Sequence, residues 1–211
     1  MMDTVQLEND SGKIFRLTDY GLYLKYFDAP EPEAKTYRET IDGADGDLDM
    51  TEWAGIIRYN TRNVSFGVRD LTGHWWRELV NFCHGRNVKI THSLDEEHYY
   101  FGRIRASHTT REHITDVELE AVCNPYRLCH TETIITKAVT GSATVSLEAL
   151  RRPVTPTVTV SAEMNLTYLG TGITLPAGTH QVDDLILSET PVSVAITGTG
   201  TIAFKWRDGV I

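Results

Sequence analysis

Apolar and polar residues alternate with a period of two along much of this chain, the mark of strands that bury one face. Val64, Phe66 and Val68 fall on one side of such a run, and Ser65, Gly67 and Arg69 on the other. Val88 and Ile90 alternate with Lys89 and Thr91, and Val117, Leu119 and Ala121 alternate with Asp116, Glu118 and Glu120. Residues 20–27 and 99–105 are rich in aromatic side chains, which suit a pleated, half-buried surface. One segment breaks the period. Between Trp75 and Cys83, Trp75, Leu79 and Phe82 fall on one helical face, with Trp76, Val80 and Cys83 beside it. Thr72 is placed to cap the start of this helix and Gly85 to stop it, while His84 in the last turn suits the negative end of the dipole. A single helix among strands covers one open face of a sandwich or barrel.

The pattern changes near residue 130. Beyond it the chain is rich in Thr, Val, Gly and Ser and poor in charge, and of the histidines only His180 lies there. Pro153 and Pro156 mark an edge or linker. Val158 and Val160 alternate with Thr157 and Thr159, and Val192, Val194 and Ile196 with Ser193, Ala195 and Thr197. Gly198-Thr199-Gly200 reads as a turn, after which Ile202, Phe204 and Trp206 alternate with Ala203, Lys205 and Arg207. This predicts a hairpin with one apolar face that must bury itself against a second sheet. Two domains are expected, 1–130 and 131–211, both mainly β, the first with one helix.

Composition narrows the function. The 211 residues carry a net charge of −9, which disfavours gripping nucleic acid, since phosphate contacts need Lys and Arg. From Asp28 to Glu52 nine acids face only Lys35 and Arg38. An acidic surface does suit a conduit that repels DNA rather than holding it. No apolar run approaches the roughly 18–20 residues that span a bilayer, and Met1-Met2-Asp3-Thr4 lacks the basic start of a signal peptide. A chain made in a cytoplasm and kept off membranes is expected. Cys83, Cys123 and Cys129 are too few, and odd in number, for a disulfide framework, and none makes a C-x-x-C pair. Buried, reduced cysteines are expected.

No constellation points to catalysis, a metal or a cofactor. Asp42-Gly43-Ala44-Asp45-Gly46-Asp47-Leu48-Asp49 invites a calcium reading, but counted from Asp45 the obligatory Gly falls on Met50 and the bidentate Glu on Ile56. A solvated Asp-Gly turn, able to meet basic groups on a neighbouring subunit, fits better. His108 and His113 fall in a predicted loop and make no helical metal motif. Cys83 and His84 are sequence neighbours on a helix and face different ways, so they form no dyad. There is no G-x-S-x-G elbow and no glycine-rich phosphate loop leading into a helix. Tyr168 and Trp206 are the aromatics that could offer a sugar platform, although Trp206 shares the apolar face of its strand.

Taken in order, several segments resemble the distal tail (Dit) proteins of siphophages, in their short form. They are the run Ile41 to Glu52, the helix Trp75 to Cys83 leading into His84-Gly85-Arg86-Asn87-Val88-Lys89-Ile90, the strand Tyr99-Tyr100-Phe101-Gly102-Arg103-Ile104, and the closing Cys123-Asn124-Pro125-Tyr126. Arg151-Arg152-Pro153-Val154-Thr155-Pro156 and the ending Gly198 to Gly209 resemble the second domain of that family. The resemblance implies an N-terminal β-sandwich or barrel-like domain related to tail-tube subunits, followed by a small galectin-like β-sandwich. It implies a structural virion protein at the tail tip, not an enzyme: a homo-hexameric ring that passes DNA without specific binding. Its expected partners are the tail-tube protein, the tail-tip or tail-associated lysin protein, and receptor-binding proteins held by the second domain. Asp42, Asp45, Asp47, Asp49 and Glu52 are the expected inter-subunit residues, on a loop that begins after Phe27 and contains Pro30 and Pro32. A tail-tube subunit and a carbohydrate-binding adhesin are the alternatives.

Overall fold

The computed structural model describes residues 3–43, 45–52 and 55–211. The chain divides into two compact units, Met1–Arg127 with Ile211, and Leu128–Val210. In chain order the first contains β1 (Val5–Asn9), β2 (Ile14–Arg16), β3 (Tyr23–Asp28), β4 (Arg38–Thr40), β5 (Asp47–Asp49), β6 (Arg62–Asp70), α1 (Trp76–Cys83), β7 (Asn87–His92), β8 (Asp95–Arg111) and β9 (Ile114–Cys123). After β10 (Arg127–Cys129), at the passage between units, the second contains β11 (Thr133–Leu147), β12 (Thr157–Val160), β13 (Met164–Tyr168), β14 (Thr171–Leu175), β15 (Gly178–Gln181), β16 (Val192–Trp206) and β17 (Gly209–Val210). The protein is mainly β, as the alternation predicts.

In the first unit the antiparallel order is β2-β1-β7-β8-β9-β6-β3. The residues that alternation assigned inward are the core: Val64, Phe66, Val68, Val88, Ile90, Val117 and Leu119 are all fully buried. The sheet curls on itself. Phe27 on β3 lies 4.6 Å from the His92 ring at the end of β7 and 5.9 Å from Tyr100 on β8, although two strands separate β3 from β8 in the sheet. The result is a half-barrel. Helix α1 packs on β8 and β1 through Leu79 and Cys83, one turn apart and fully buried. Burying a leucine side chain completely contributes about 2 kcal/mol.

The cap of α1 differs from expectation. Asp70, at the end of β6 and 1 % exposed, does what Thr72 was assigned. Its Oδ1 accepts from Thr72 N, Thr72 Oγ1 and Gly73 N, and its Oδ2 accepts from Trp75 N at 2.7 Å and Trp76 N at 2.9 Å. One carboxylate thus accepts from two of the amides that a helix start leaves open, Trp75 N and Trp76 N, without being adjacent to the helix. Gly85 takes the left-handed conformation expected of a helix stop.

In the second unit the expected Gly198 hairpin is replaced by a single strand. β16 runs unbroken for 15 residues and pairs with all of β11, from Leu147 opposite Val192 to Thr133 opposite Trp206. Its first half takes β13 as its other neighbour and its second half takes β12. The glycines are therefore a bend. Gly198, Gly200 and, on β11, Gly141 have φ of 144°, 149° and 84°. They let one ribbon fold over a core of Val194, Ile196, Leu166, Met164, Ile202 and Phe204, all fully buried. They also admit close neighbours: a Cβ on Gly200 would stand 2.6 Å from Ser161 Oγ.

Two outcomes follow. Gly200→Ala lowers the unfolding free energy by about 1–3 kcal/mol in urea titrations, whereas a wild-type value would mean that neither the positive φ nor the approach of Ser161 constrains this position. Burial alone would raise the Asp70 carboxyl, but its bonds from Thr72, Trp75 and Trp76 outweigh this and hold it below the usual range. Its stabilising effect is therefore complete above about pH 4 and lost as pH falls through the lowered folded value. Asp70→Asn destabilises at pH 7 and loses less further stability on acidification than the wild type.

Candidate functional site

Between β3 and β6 the chain leaves the sheet and returns. Lys35 N donates to Arg58 O and Asn60 N to Glu33 O, both at 2.8 Å, around the bridge Ala34–Tyr59. Further out β4 and β5 pair, with Met50 N donating to Tyr37 O. The expected loop is thus an arm with a two-stranded stem. At its root Arg62, 2 % exposed, donates through Nε and Nη2 to Pro30 O at 3.0 and 2.8 Å and through Nη2 to Glu31 at 2.8 Å. The guanidinium lies 5.2 Å from the Tyr100 ring centre, and Nη1 has no hydrogen-bond partner among the described residues. A buried charge tied to the carbonyl of Pro30 fixes where the arm leaves the body.

The arm is amphipathic. Pairing puts Arg38 opposite Asp49, Glu39 opposite Leu48 and Thr40 opposite Asp47. Because side chains alternate, Tyr37, Ile41 and Leu48 share one face with Glu39 and Met50, while Arg38, Thr40, Asp47 and Asp49 share the other. Tyr37, Ile41 and Leu48 are 59 %, 48 % and 49 % exposed. The polar face is internally bonded: Thr40 Oγ1 donates to Asp47 at 2.9 Å and Thr51 N to Asp49 at 2.9 Å. The bonds from Thr51 hold the Asp49 carboxyl below its usual range.

Of the five acids singled out from sequence, Asp47 and Asp49 share the polar face of β5, Asp42 and Asp45 sit in the connecting turn, and Glu52 lies just beyond; all are exposed. Ala44 in that run lies outside the described residues. Among the described residues no three His, Cys, Asp or Glu side chains stand together as a metal site. Sequence reasoning missed the apolar half of the arm and Arg62. Tyr37, Glu39 and Ile41 alternate correctly but are hidden among acids.

Beside the arm root a cleft of about 420 Å³ opens, with Leu24, Phe27, Leu94 and Tyr100 among its lining residues. Leu94 is 77 % exposed. On the outer face of the same sheet charges are paired. Arg69 holds Asp116 with two bonds of 2.7 and 2.8 Å, and Lys25 reaches both Asp116 and Glu118. Arg69, then Lys25, keep the Asp116 carboxyl far below its ordinary value. The bond Tyr26 makes to Glu118 pushes its phenol up to about 12.

Other candidates separate. His108 lies in β8 rather than a loop and stacks on Trp76 at 4.0 Å, while His113 is in the β8–β9 turn. Cys83 Sγ donates to Leu79 O and His84 Nδ1 accepts from Ala106 N, so the two do not face each other. Burial pushes the Cys83 and Cys123 thiols up to about 12, and no disulfide forms. Tyr168 and Trp206 are 3 % and 4 % exposed, so neither ring offers a sugar a face. Among the described residues no helix is long and apolar enough to cross a membrane.

If Arg62 anchors the arm, Arg62→Ala lowers the unfolding free energy by roughly 2–4 kcal/mol and speeds limited proteolysis within 36–57. Cleavage at the wild-type rate would mean the arm is held elsewhere.

No family model and no curated protein matches the sequence. Among solved structures, the Dit protein of phage SPP1, described as a paradigm of the hub adsorption apparatus in phages infecting Gram-positive bacteria, is similar at 20 % identity. The match covers 98 % of this chain and 99 % of that one, with a TM-score of 0.67. Two structures of the phage P2 baseplate in its activated conformation, with Ca and with Sr, match at 7 % and 6 % identity with TM-scores of 0.43 and 0.44. They cover 97 % and 98 % of this chain and 98 % of each of theirs. Over nearly its whole length, both units included, the chain has the fold of a siphophage distal tail protein.

Proposed function

We propose that this chain is a structural protein of a phage virion, the subunit of a homo-hexameric ring that forms the hub of the tail tip. The observation that carries this reading is the end-to-end match to SPP1 Dit, in which both units of one chain find counterparts. The arm gives it a physical route. A two-stranded hairpin is marginal in water by itself, and this one exposes Tyr37, Ile41 and Leu48 along one face. A neighbouring copy that covers this face removes the difficulty. The cleft beside Phe27, Leu94 and Tyr100 also carries Asp3, Lys25, His92 and Asp95, so it offers a neighbouring arm both apolar and charged groups. Repeated from copy to copy, such a head-to-tail contact closes into a ring when its rotation divides the circle. Asp42, Asp45, Asp47, Asp49 and Glu52, on the turn, the opposite face and the end of the same arm, then stand beside the contact as charges that set orientation more than affinity.

In this reading one face of the ring meets the tail-tube protein and the other the tail-tip or tail-associated lysin protein, and the second unit holds receptor-binding components. DNA passes through the channel without specific binding, in keeping with the net charge of −9. The role is mechanical rather than catalytic. A tail-tube subunit would stack into a filament, and the second unit argues for a single closed ring instead. The adhesin alternative lacks support in the buried Tyr168 and Trp206.

The arm can be removed without its anchor. A chain in which 36–51 is replaced by a short glycine linker, keeping Pro30 and Glu31, is expected to lose the hexamer in multi-angle light scattering while keeping its β circular dichroism. A shortened chain that still sediments as six copies would overturn the assembly route. Leu48→Glu is expected to weaken the ring in the same direction by at least tenfold, leaving the melting temperature of the single chain unchanged.

A further inference from the structure

Sheets have edges, and this protein protects most of its own. In the first unit the edge strands are β2, with 3 residues, and β3, whose register slips between Leu24 and Tyr26. In the second, β14 and β15 have 5 and 4. Short and irregular edges are the usual defence against unwanted pairing. β11 is the longest exception, beside the end of β8 beyond Arg103, which pairs with β9 alone. It is 15 residues long, about 50 Å, and among the described residues it pairs only with β16. Its outer row of backbone donors and acceptors has no strand beside it.

The residues on that strand do not repel a partner. Lys137 is its single charge, it contains no proline, and Ile134, Thr136, Ala138, Thr140, Ser142 and Thr144 are exposed. Uncharged, β-prone runs of this kind pair readily. What they fit best is a second copy of the same strand. Residues i and 282−i face each other if two copies meet antiparallel about Gly141, giving Thr136–Ser146, Ala138–Thr144 and Thr140–Ser142. These are small hydroxyl and alanine pairs with no like charges opposed. Lys137 meets Val145. The bend also matches. Gly141, with φ of 84°, is where the ribbon folds over its core. A two-fold axis normal to the sheet at that point turns one ribbon into another that bends the same way, so both stay in contact beyond the kink. About 12 hydrogen bonds can form along residues 135–147.

We propose that the outer edge of β11 is an interface between two copies of this chain, paired antiparallel about a two-fold axis at Gly141. Such a contact is self-complementary and closes after two copies. It goes beyond the ring, which needs a head-to-tail contact through the first unit. If both form, two rings join. If only the edge forms, the chain is a dimer.

The test is register-specific and uses the full chain. Ala138 and Thr144 are exposed and face Thr201 and Ala195 within their own ladder, so charges there meet no charged partner internally. In the double variant Ala138→Lys with Thr144→Lys, like charges oppose across the two-fold. In Ala138→Lys with Thr144→Glu, opposite charges meet at the same places. The expected result is a wild-type mass that halves in the first double variant, with pairing at least about tenfold weaker, and is kept in the second. Unchanged circular dichroism in both shows that each is folded. Equal masses for the two double variants overturn the proposal, as does a wild type that gives only single chains, or a smear of sizes with no discrete species. A dimer in place of twelve copies would fail the ring and keep the edge.

Discussion

A β-sheet has to bury one of its faces and find partners for both of its edges, and the rest of this structure depends on how far one chain can do both alone. The faces are settled internally. In the first unit Val64, Phe66, Val68, Val117 and Leu119 line the inside of a curled sheet, closed from one side by Leu79 and Cys83 of α1. In the second, one long ribbon folds over its own core at three glycines. What remains unsatisfied is peripheral: the apolar face of the arm and the outer edge of β11. Both are surfaces on which the proposed assembly draws.

Arg62 shows how the two demands are kept apart from the core. A single buried guanidinium grips the Pro30 carbonyl and Glu31 as the arm departs. The half-barrel can therefore fold as a unit while the arm reaches outward. Asp70 does the equivalent work for α1, tying the end of β6 to the start of the helix through one carboxylate. Both use charge-assisted bonds at the margin of the core, where a lone hydrophobic contact would fix position less sharply.

The body of the fold was readable from residue order because its strands are half-buried. Val64 to Val68 and Val117 to Ala121 alternate cleanly, and Leu79 with Cys83 keeps helical spacing. Reading failed where one local signal served another purpose. Gly198 and Gly200 look like a turn, yet Val192 to Trp206 keeps the same parity across them, which is the mark of one continuous strand. Asp70 caps a helix that starts six residues later, and no local motif announces that. The arm is hard to read because Asp42, Asp45, Asp47 and Asp49 dominate its composition, while the weak alternation of Tyr37, Ile41, Leu48 and Met50 marks its apolar face. The open edge of β11 is hard to read because Thr and Ser fill its outward positions, although Val139, Val145 and Leu147 point inward together.

In the second unit the Tyr168 and Trp206 rings are buried, so neither supplies an aromatic platform, and the proposed role is the joining of subunits. Negative-stain images of the purified chain test that most directly. Closed rings of six copies in projection, with a central opening, are expected. Separate particles with no common axis, at concentrations well above those needed for a stable hub, would contradict it.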